Sequence, residues 1–203
     1  KKIIINNKIV VIHPHDNLSK IIGFLASKGT GIKSVAHCRD LLKTNFIEKL
    51  LLYFQFFTYD RIITVSEANR NLFKFFNKVP SKVKKIYNGI NLDEFNKNKI
   101  EISKSFIDSN KFNLVVGIVG VFDELKGHIY LFNAIKKMTK NKIACLVVGD
   151  GREKKKLLDY VNKNNLNEFI FFTGYVGNVQ KYLKLMDVLV LPSTQESFPR
   201  VMI

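Results

Sequence analysis

Phe112-Asn113-Leu114-Val115-Val116-Gly117-Ile118-Val119-Gly120, followed by Asp123-Glu124-Leu125-Lys126-Gly127-His128, decides the fold class. A nearly unbroken Val, Ile and Leu run without alternation is the pattern of a strand buried on both faces, as parallel strands are. A glycine leaves the run, a short loop spans 120–127, and a Lys-Gly pair opens an apolar-periodic segment over 128–138, which reads as strand, loop, helix. The theme then repeats. A strand over 142–148 breaks at Gly149-Asp150-Gly151 into a helix from 153 to about 164. A strand over 169–172, a short helix over 179–185 and a strand over 187–191 complete the stretch. Pro199, favoured at the first helical position, announces a helix beginning at the end of the chain.

Upstream the same alternation is visible. Ile9-Val10-Val11-Ile12 is a short strand ended by His13-Pro14-His15-Asp16, and Asp16 or Asn17 caps a helix to about Lys28, with Leu18, Ile21, Ile22 and Leu25 on one face. Strands over 33–37, 61–65 and 82–87 alternate with a Leu- and Phe-rich helix over 41–59 and a helix from the Ser66 cap to about Asn77. Asn88-Gly89 turns the chain, and the polar stretch 91–111 joins two α/β domains, 1–105 and 106–203. In open parallel sheets ligands bind beyond the carboxyl ends of the strands, so the loops at 13–16, 37–40, 120–127, 149–151 and 193–199 are where chemistry is expected.

Composition narrows the function. A chain of 203 residues that is 46% hydrophobic has a core, which excludes a disordered protein. No apolar run approaches the roughly 20 residues needed to cross a bilayer. Two cysteines, Cys38 and Cys145, lack any paired or metal-ligand spacing, which suits a reducing, cytoplasmic setting. The opening Lys1-Lys2-Ile3-Ile4-Ile5-Asn6 has neither an initiator Met nor the order of a signal peptide, and the start is read as not native. The formal net charge of +16 calls for acidic partners. Residues 1–105 carry 19 basic and 8 acidic side chains against 14 and 9 in 106–203, so the excess lies in the first half. With the basic residues scattered and no nucleic-acid module present, nucleic acid is not the expected partner.

Familiar phosphate motifs are missing. Gly29-Thr30-Gly31-Ile32-Lys33-Ser34 lacks P-loop spacing and follows a helix, no strand is followed by G-x-G-x-x-G, and no G-x-S-x-G elbow exists. The Gly120–Gly127 loop can hold a diphosphate between helix amides and the Lys126 ammonium, or be an ordinary strand-to-helix loop with a solvated lysine. Glu196, in Gln195-Glu196-Ser197-Phe198-Pro199-Arg200, can accept hydrogen bonds from sugar hydroxyls or simply cap a helix. His37 reads as a core histidine or a site residue. His13 and His15 could bind metal, but no further ligand accompanies them in the sequence.

Val65-Ser66-Glu67, Ile86-Tyr87-Asn88-Gly89-Ile90-Asn91, Val119-Gly120 with Lys126-Gly127, Leu146-Val147-Val148-Gly149-Asp150-Gly151, Phe172-Thr173-Gly174, and Leu191-Pro192-Ser193 through Glu196-Ser197-Phe198-Pro199-Arg200 occur in this order. Together they resemble the retaining GT-B glycosyltransferases of family 4, as an internal slice of two Rossmann-like domains with parallel sheets. The resemblance implies an acceptor-side domain over 1–105, the N-terminal one being incomplete, and a nucleotide-sugar-binding domain over 106–203.

By that resemblance Glu196 is the first glutamate of the family's E-x7-E motif and contacts donor-sugar hydroxyls, and His37 faces the transferred sugar. Gly120, Lys126, Phe198, Pro199 and Arg200 bind the donor diphosphate. Gly149, Asp150, Gly151, Tyr175 and Val176 frame the nucleobase, while His13 and His15 lie on the acceptor side. The family's arginine after the glycine is replaced by Val121, a loss for which Arg200 is expected to compensate in part. Asp16 and Asp187 form no D-x-D pair, so no metal and no other cofactor is expected. The implied activity is transfer of a hexose from a UDP- or GDP-linked donor to a glycan or lipid-linked acceptor at the inner face of the cytoplasmic membrane, with peripheral contact to anionic lipid. The alternatives are a nucleotide-sugar-binding fragment without turnover and a GT-B sugar-nucleotide epimerase.

Overall fold

A computed structural model describes residues 1–39, 46–74, 80–95, 107–108 and 110–203. Asp40, the expected start of the 41–59 helix, positions 75–77 and most of the 91–111 stretch lie outside the described residues, while the helix expected from Ser66 to about Asn77 already ends at Asn71, with Leu72 as its C-cap. The chain divides into two compact units, residues 1–90 with 196–203, and residues 91–195.

The first unit holds α1 (Lys2–Asn6), β1 (Val11–Ile12), α2 (Asn17–Ser27), β2 (Lys33–Cys38), α3 (Phe46–Thr58), β3 (Arg61–Thr64), α4 (Glu67–Asn71) and β4 (Val83–Lys85). Its strands pair in parallel in the order β1-β2-β3-β4. Asp16 caps α2 in a capping box, accepting the Ser19 amide at 2.8 Å, and the Ser66 hydroxyl accepts the Asn69 amide at the start of α4. Asp60 ties β2 to β3 by accepting both the amide and the hydroxyl of Ser34 at 2.8 Å, which lowers its carboxyl pKa.

The apolar stripe expected to bury α2 does the opposite. Leu18, Ile21, Ile22 and Leu25 are exposed, and the helix packs through Lys20, Gly23, Ser27 and the half-buried Phe24, which meets Phe54 edge-on. A Cβ on Gly23 would sit 3.3 Å from the Tyr59 hydroxyl and 3.4 Å from Ile12 and Pro14, so the closest approach falls where the helix has no side chain. The Tyr59 hydroxyl locks that approach by donating to the Lys20 carbonyl at 2.6 Å.

The second unit holds β5 (Leu114–Val119), α5 (His128–Lys137), β6 (Ile143–Val148), α6 (Lys154–Lys163), β7 (Ile170–Gly174), α7 (Gln180–Leu183) and β8 (Val188–Leu189). All four strands are parallel, in the order β7-β6-β5-β8. Central β6 is buried at every position. Cys145 and Val147 face a core with Phe122, Phe132, Ile135 and Leu157, while Ala144, Leu146 and Val148 face the opposite layer with Phe171, Val179 and Met186. This two-sided burial is what the unbroken apolar runs anticipate, because successive strand side chains point to opposite faces. Where the sequence reading continues the second domain to 203, residues 196–203 pack with the first unit through contacts given below, and the helix expected at Pro199 is a three-residue 3-10 turn, Arg200–Met202.

Candidate functional site

The strand order of the second sheet reverses between β5 and β8, because the chain leaves β5 for β6 and β7 on one side and returns to β8 on the other. Such a switch point opens a crevice at the carboxyl ends of the two strands, where neighbouring connections diverge. The loop after β5 and residues 192–194 after β8 meet there. The Thr194 amide donates to the Leu125 carbonyl at 2.9 Å, and a Cβ on Gly127 would stand 2.1 Å from the Pro192 carbonyl oxygen. Gly127 adopts φ +70°, which lets the chain turn out of a 3-10 turn (Glu124–Lys126) directly into α5. Lys126 and the N-terminal end of α5 are thereby placed at the switch point, where the helix dipole adds partial positive charge.

The loops after β6 and β7 are fastened to this one. The Gly120 amide donates to the Val148 carbonyl at 3.0 Å, the Phe122 amide to the Asp150 carbonyl at 2.9 Å, and the Gly149 amide to the Gly174 carbonyl at 3.0 Å. Gly149 has φ +141° and its missing Cβ would lie 1.9 Å from the Gly120 carbonyl oxygen, so the two loops touch backbone to backbone. Asp150 braces its own loop, accepting from Lys154 Nζ at 2.6 Å and the Gly151 amide at 2.8 Å, and these bonds lower its pKa. Tyr175 is 84% exposed, whereas Val176 is half-buried against the layer behind β6. Gly120, Lys126, Gly149, Asp150, Gly151 and Tyr175 are thus gathered at the carboxyl ends of one sheet.

Arg152 escaped the sequence reading: its guanidinium pairs with Asp123 at 2.7 Å, while Asp123 also accepts the Leu125 amide at 3.0 Å. The signal was a basic residue directly after Gly-Asp-Gly, but nothing in the spacing joins it to position 123. His128 is a core histidine, 2% exposed among Phe122 and Phe132, with its pKa pushed down to about 4 by burial first and the Lys126 charge second. Asp187, like Asp16, has a structural task, accepting the Val115 amide at 2.8 Å.

In the first unit, the segment after Glu196 is held by Asn69, which no motif singled out, and by Tyr87 and Asn88 of the 86–91 motif. The Ser197 hydroxyl donates to the buried Asn69 side chain, Asn88 Nδ2 donates to the Phe198 carbonyl at 3.0 Å, and Tyr87 lies 5.1 Å from the Phe198 ring. Glu196 and Pro199 are half-buried and Arg200 is exposed. His37, on β2, has both ring nitrogens buried without a hydrogen-bond partner among the described residues, and its pKa falls to about 4, mainly through burial and then through His15 and His13. His13 and His15, on the loop after β1, lie against it. Where the sequence offered no further ligand beside His13 and His15, the parallel pairing of β1 with β2 supplies His37.

Each unit carries a parallel sheet with helical crossovers, and the chain superimposes on known folds over nearly its whole length. It is similar to Anabaena HepE in complex with UDP-glucose, with a TM-score of 0.78, 22% identity, and coverage of 95% of this chain and 56% of that one. It is similar to a Rickettsia africae glycosyltransferase, with a TM-score of 0.75, 18% identity, and coverage of 98% and 56%. The fold is therefore of the GT-B type. Residues 99–203 match the family model described as Glycosyl transferases group 1, residues 1–94 match that of Glycosyltransferase Family 4, and the chain belongs to the glycosyl transferases group 1 family.

Among curated relatives, an Escherichia coli UDP-Gal:alpha-D-GlcNAc-diphosphoundecaprenol alpha-1,3-galactosyltransferase is 24% identical over 98% of this chain and 55% of its own length. The Staphylococcus aureus capsular polysaccharide biosynthesis glycosyltransferase CapH is 29% identical over 100% and 58%. The chain spans little more than half the length of these relatives.

Proposed function

We propose that the protein is a retaining glycosyltransferase that moves a hexose from a nucleotide-diphosphate sugar to a glycan or lipid-linked acceptor. The observation that carries this is the β5/β8 switch point, where a glycine-lined loop, a lysine and a helix N-terminus converge at the carboxyl ends of a parallel sheet. The donor's C–O bond to the diphosphate breaks with its electron pair leaving on a phosphate oxygen. Lys126 and the α5 amides stabilise that charge as it develops. Glu196 and His37 orient the sugar so that the acceptor hydroxyl oxygen attacks from the face the diphosphate leaves, its proton passing to the departing phosphate oxygen. Neutralisation by these groups asks for no divalent cation at the diphosphate. The loops 149–151 and 174–176 frame the nucleobase mainly through main-chain groups, and Arg200 stands in for the arginine replaced by Val121. The UDP-glucose held by the HepE structure and the diphospholipid acceptor named for the E. coli relative support this substrate class.

The full-length protein, incubated with a panel of UDP-, GDP- and ADP-sugars and a diphospholipid acceptor, is expected to transfer sugar with retention and without loss of rate in chelator. An epimerised donor, or binding without turnover, would replace this reading with one of its two rivals.

The acceptor side is proposed to rest on the cytoplasmic face of an anionic membrane. Phe46, Leu50, Tyr53 and Phe57 recur at helical spacing along α3 and are all exposed, while the same helix packs inward through Leu52 and Gln55. No described helix is long and apolar enough to cross a membrane. The basic excess of residues 1–105 adds attraction to anionic headgroups. Phe46→Ser with Leu50→Ser and Phe57→Ser is expected to lower partitioning onto phosphatidylglycerol vesicles by at least about tenfold, since three large side chains lose their burial. Co-sedimentation unchanged by this triple substitution would remove α3 from the membrane contact.

A further inference from the structure

We propose that His13, His15 and His37 form a binding site for one divalent transition-metal ion of the zinc class, held by three imidazole nitrogens with a further coordination position open. The site lies within the first unit and shares His37 with the sugar-orienting role proposed above, so ion and donor sugar compete for that ring, and removal of the ion by a chelator costs no transfer.

Its geometry follows from the local sequence. Pro14 separates the two histidines, so His13 and His15 stand at i and i+2 on an extended segment and project to the same side. The His37 amide donates to the Pro14 carbonyl at 3.2 Å, which clamps the loop beside the end of β2. On the other side Asp16 is engaged in capping α2, so the loop is held at both ends.

The three rings converge as a result. Their centroids are 4.6 Å (His13 to His15), 5.2 Å (His13 to His37) and 4.9 Å (His15 to His37) apart. A Zn–N bond of about 2.0–2.1 Å sets tetrahedral ligand nitrogens about 3.4 Å apart and the imidazole centroids beyond them about 5 Å apart. The backbone thus already holds the rings at the separation a shared ion requires. One nitrogen from each ring lies within 4.8 Å of the other two, and rotation of the exposed His13 and His15 side chains closes the remainder.

The ligand chemistry selects the ion. Three imidazoles and no carboxylate suit Zn²⁺, Ni²⁺, Co²⁺ or Cu²⁺ and not Mg²⁺ or Ca²⁺, which prefer oxygen. His37 adds a reason for occupancy, because both of its ring nitrogens are buried without a partner among the described residues and coordination would satisfy one of them. The neighbouring Lys20 and Arg39 charges oppose a bare dication, and so favour one whose open position carries an anionic oxygen.

The full-length protein, stripped with a chelator and dialysed, is titrated with Zn²⁺ against a chromophoric chelator and with Co²⁺ as a spectroscopic probe. One ion per chain is expected, with the intense visible absorption of a four- or five-coordinate Co²⁺ site. His15→Ala, on an exposed side chain, is expected to weaken Zn²⁺ at least tenfold. The double variant His13→Ala/His15→Ala is expected to abolish stoichiometric binding while its unfolding transition stays cooperative. The chain has four histidines and the fourth, His128, is buried in the other unit, so residual binding by the double variant has no imidazole cluster to explain it. Zn²⁺ affinity unchanged in the double variant, or a Co²⁺ spectrum no different from the aquated ion, would overturn the site.

Discussion

Gly149→Ala is expected to destabilise the protein by at least about 3 kcal/mol, combining the strain of an L-residue in a sparsely populated backbone region with steric overlap in a packed loop. The methyl carbon would stand 1.9 Å from the Gly120 carbonyl oxygen and 3.3 Å from the Phe122 ring. Neither neighbour gives way easily. The Gly120 amide is bonded to Val148, and Phe122 is fully buried with its own amide bonded to Asp150. Relief therefore means pulling the β5 loop away from the β6 loop, which would also displace Lys126 and lower affinity for a nucleotide diphosphate. Gly174→Ala is the matched control. Its φ of +72° is also unfavourable for alanine, but nothing lies within 4 Å of the added carbon, so only about 1–2 kcal/mol of backbone strain is expected. Equal denaturant midpoints for the two variants would show that the β5 and β6 loops are not in backbone contact.

Lys126→Ala in the full-length protein is expected to raise the dissociation constant for UDP by tenfold to a hundredfold, since a charge-assisted hydrogen bond contributes about 1.5–3 kcal/mol. Lys126 sits in the 3-10 turn immediately before Gly127, so the substitution leaves that glycine hinge and the start of α5 in place. The unfolding midpoint is expected to shift by less than about 2 °C, as for a substitution away from the core. Arg200→Ala is expected to weaken UDP by a smaller factor, because it is offered as a partial stand-in for the arginine absent at Val121. Calorimetric titration separates these effects. Unaltered affinity in Lys126→Ala would remove the lysine from the diphosphate site, and unaltered affinity in Arg200→Ala would leave Val121 uncompensated.

Most element boundaries were legible because each carries its own local chemistry. The β5, β6 and β7 runs announce themselves by unbroken apolar residues, and the positive φ values fall on glycines, Gly149 directly after β6 and Gly127 at the entry to α5. The Asp16 and Ser66 caps were visible for the same reason, since a cap is a contact between residues three apart. What failed locally was the face of α2. Four apolar residues at helical spacing normally mark the buried side, but α2 meets the sheet through Lys20, Gly23, Phe24 and Ser27, with its closest approach to Tyr59, Ile12 and Pro14 at Gly23, and Leu18, Ile21, Ile22 and Leu25 stay outside.

By itself, then, the sequence determined the alternation of strand and helix, the glycines and lysine of the β5 loop, and the family to which the chain belongs. These depend on neighbours along the chain, whose side chains and φ preferences act over a few residues. Only the tertiary structure decided which loops share an edge: that Thr194 reaches Leu125 at the switch point, that Asn69 and Asn88 hold the segment after Glu196, and that His37 joins His13 and His15. The physical reason is that strand order and parallel register bring together residues 20 to 130 positions apart, and no propensity that acts over a few residues carries that information.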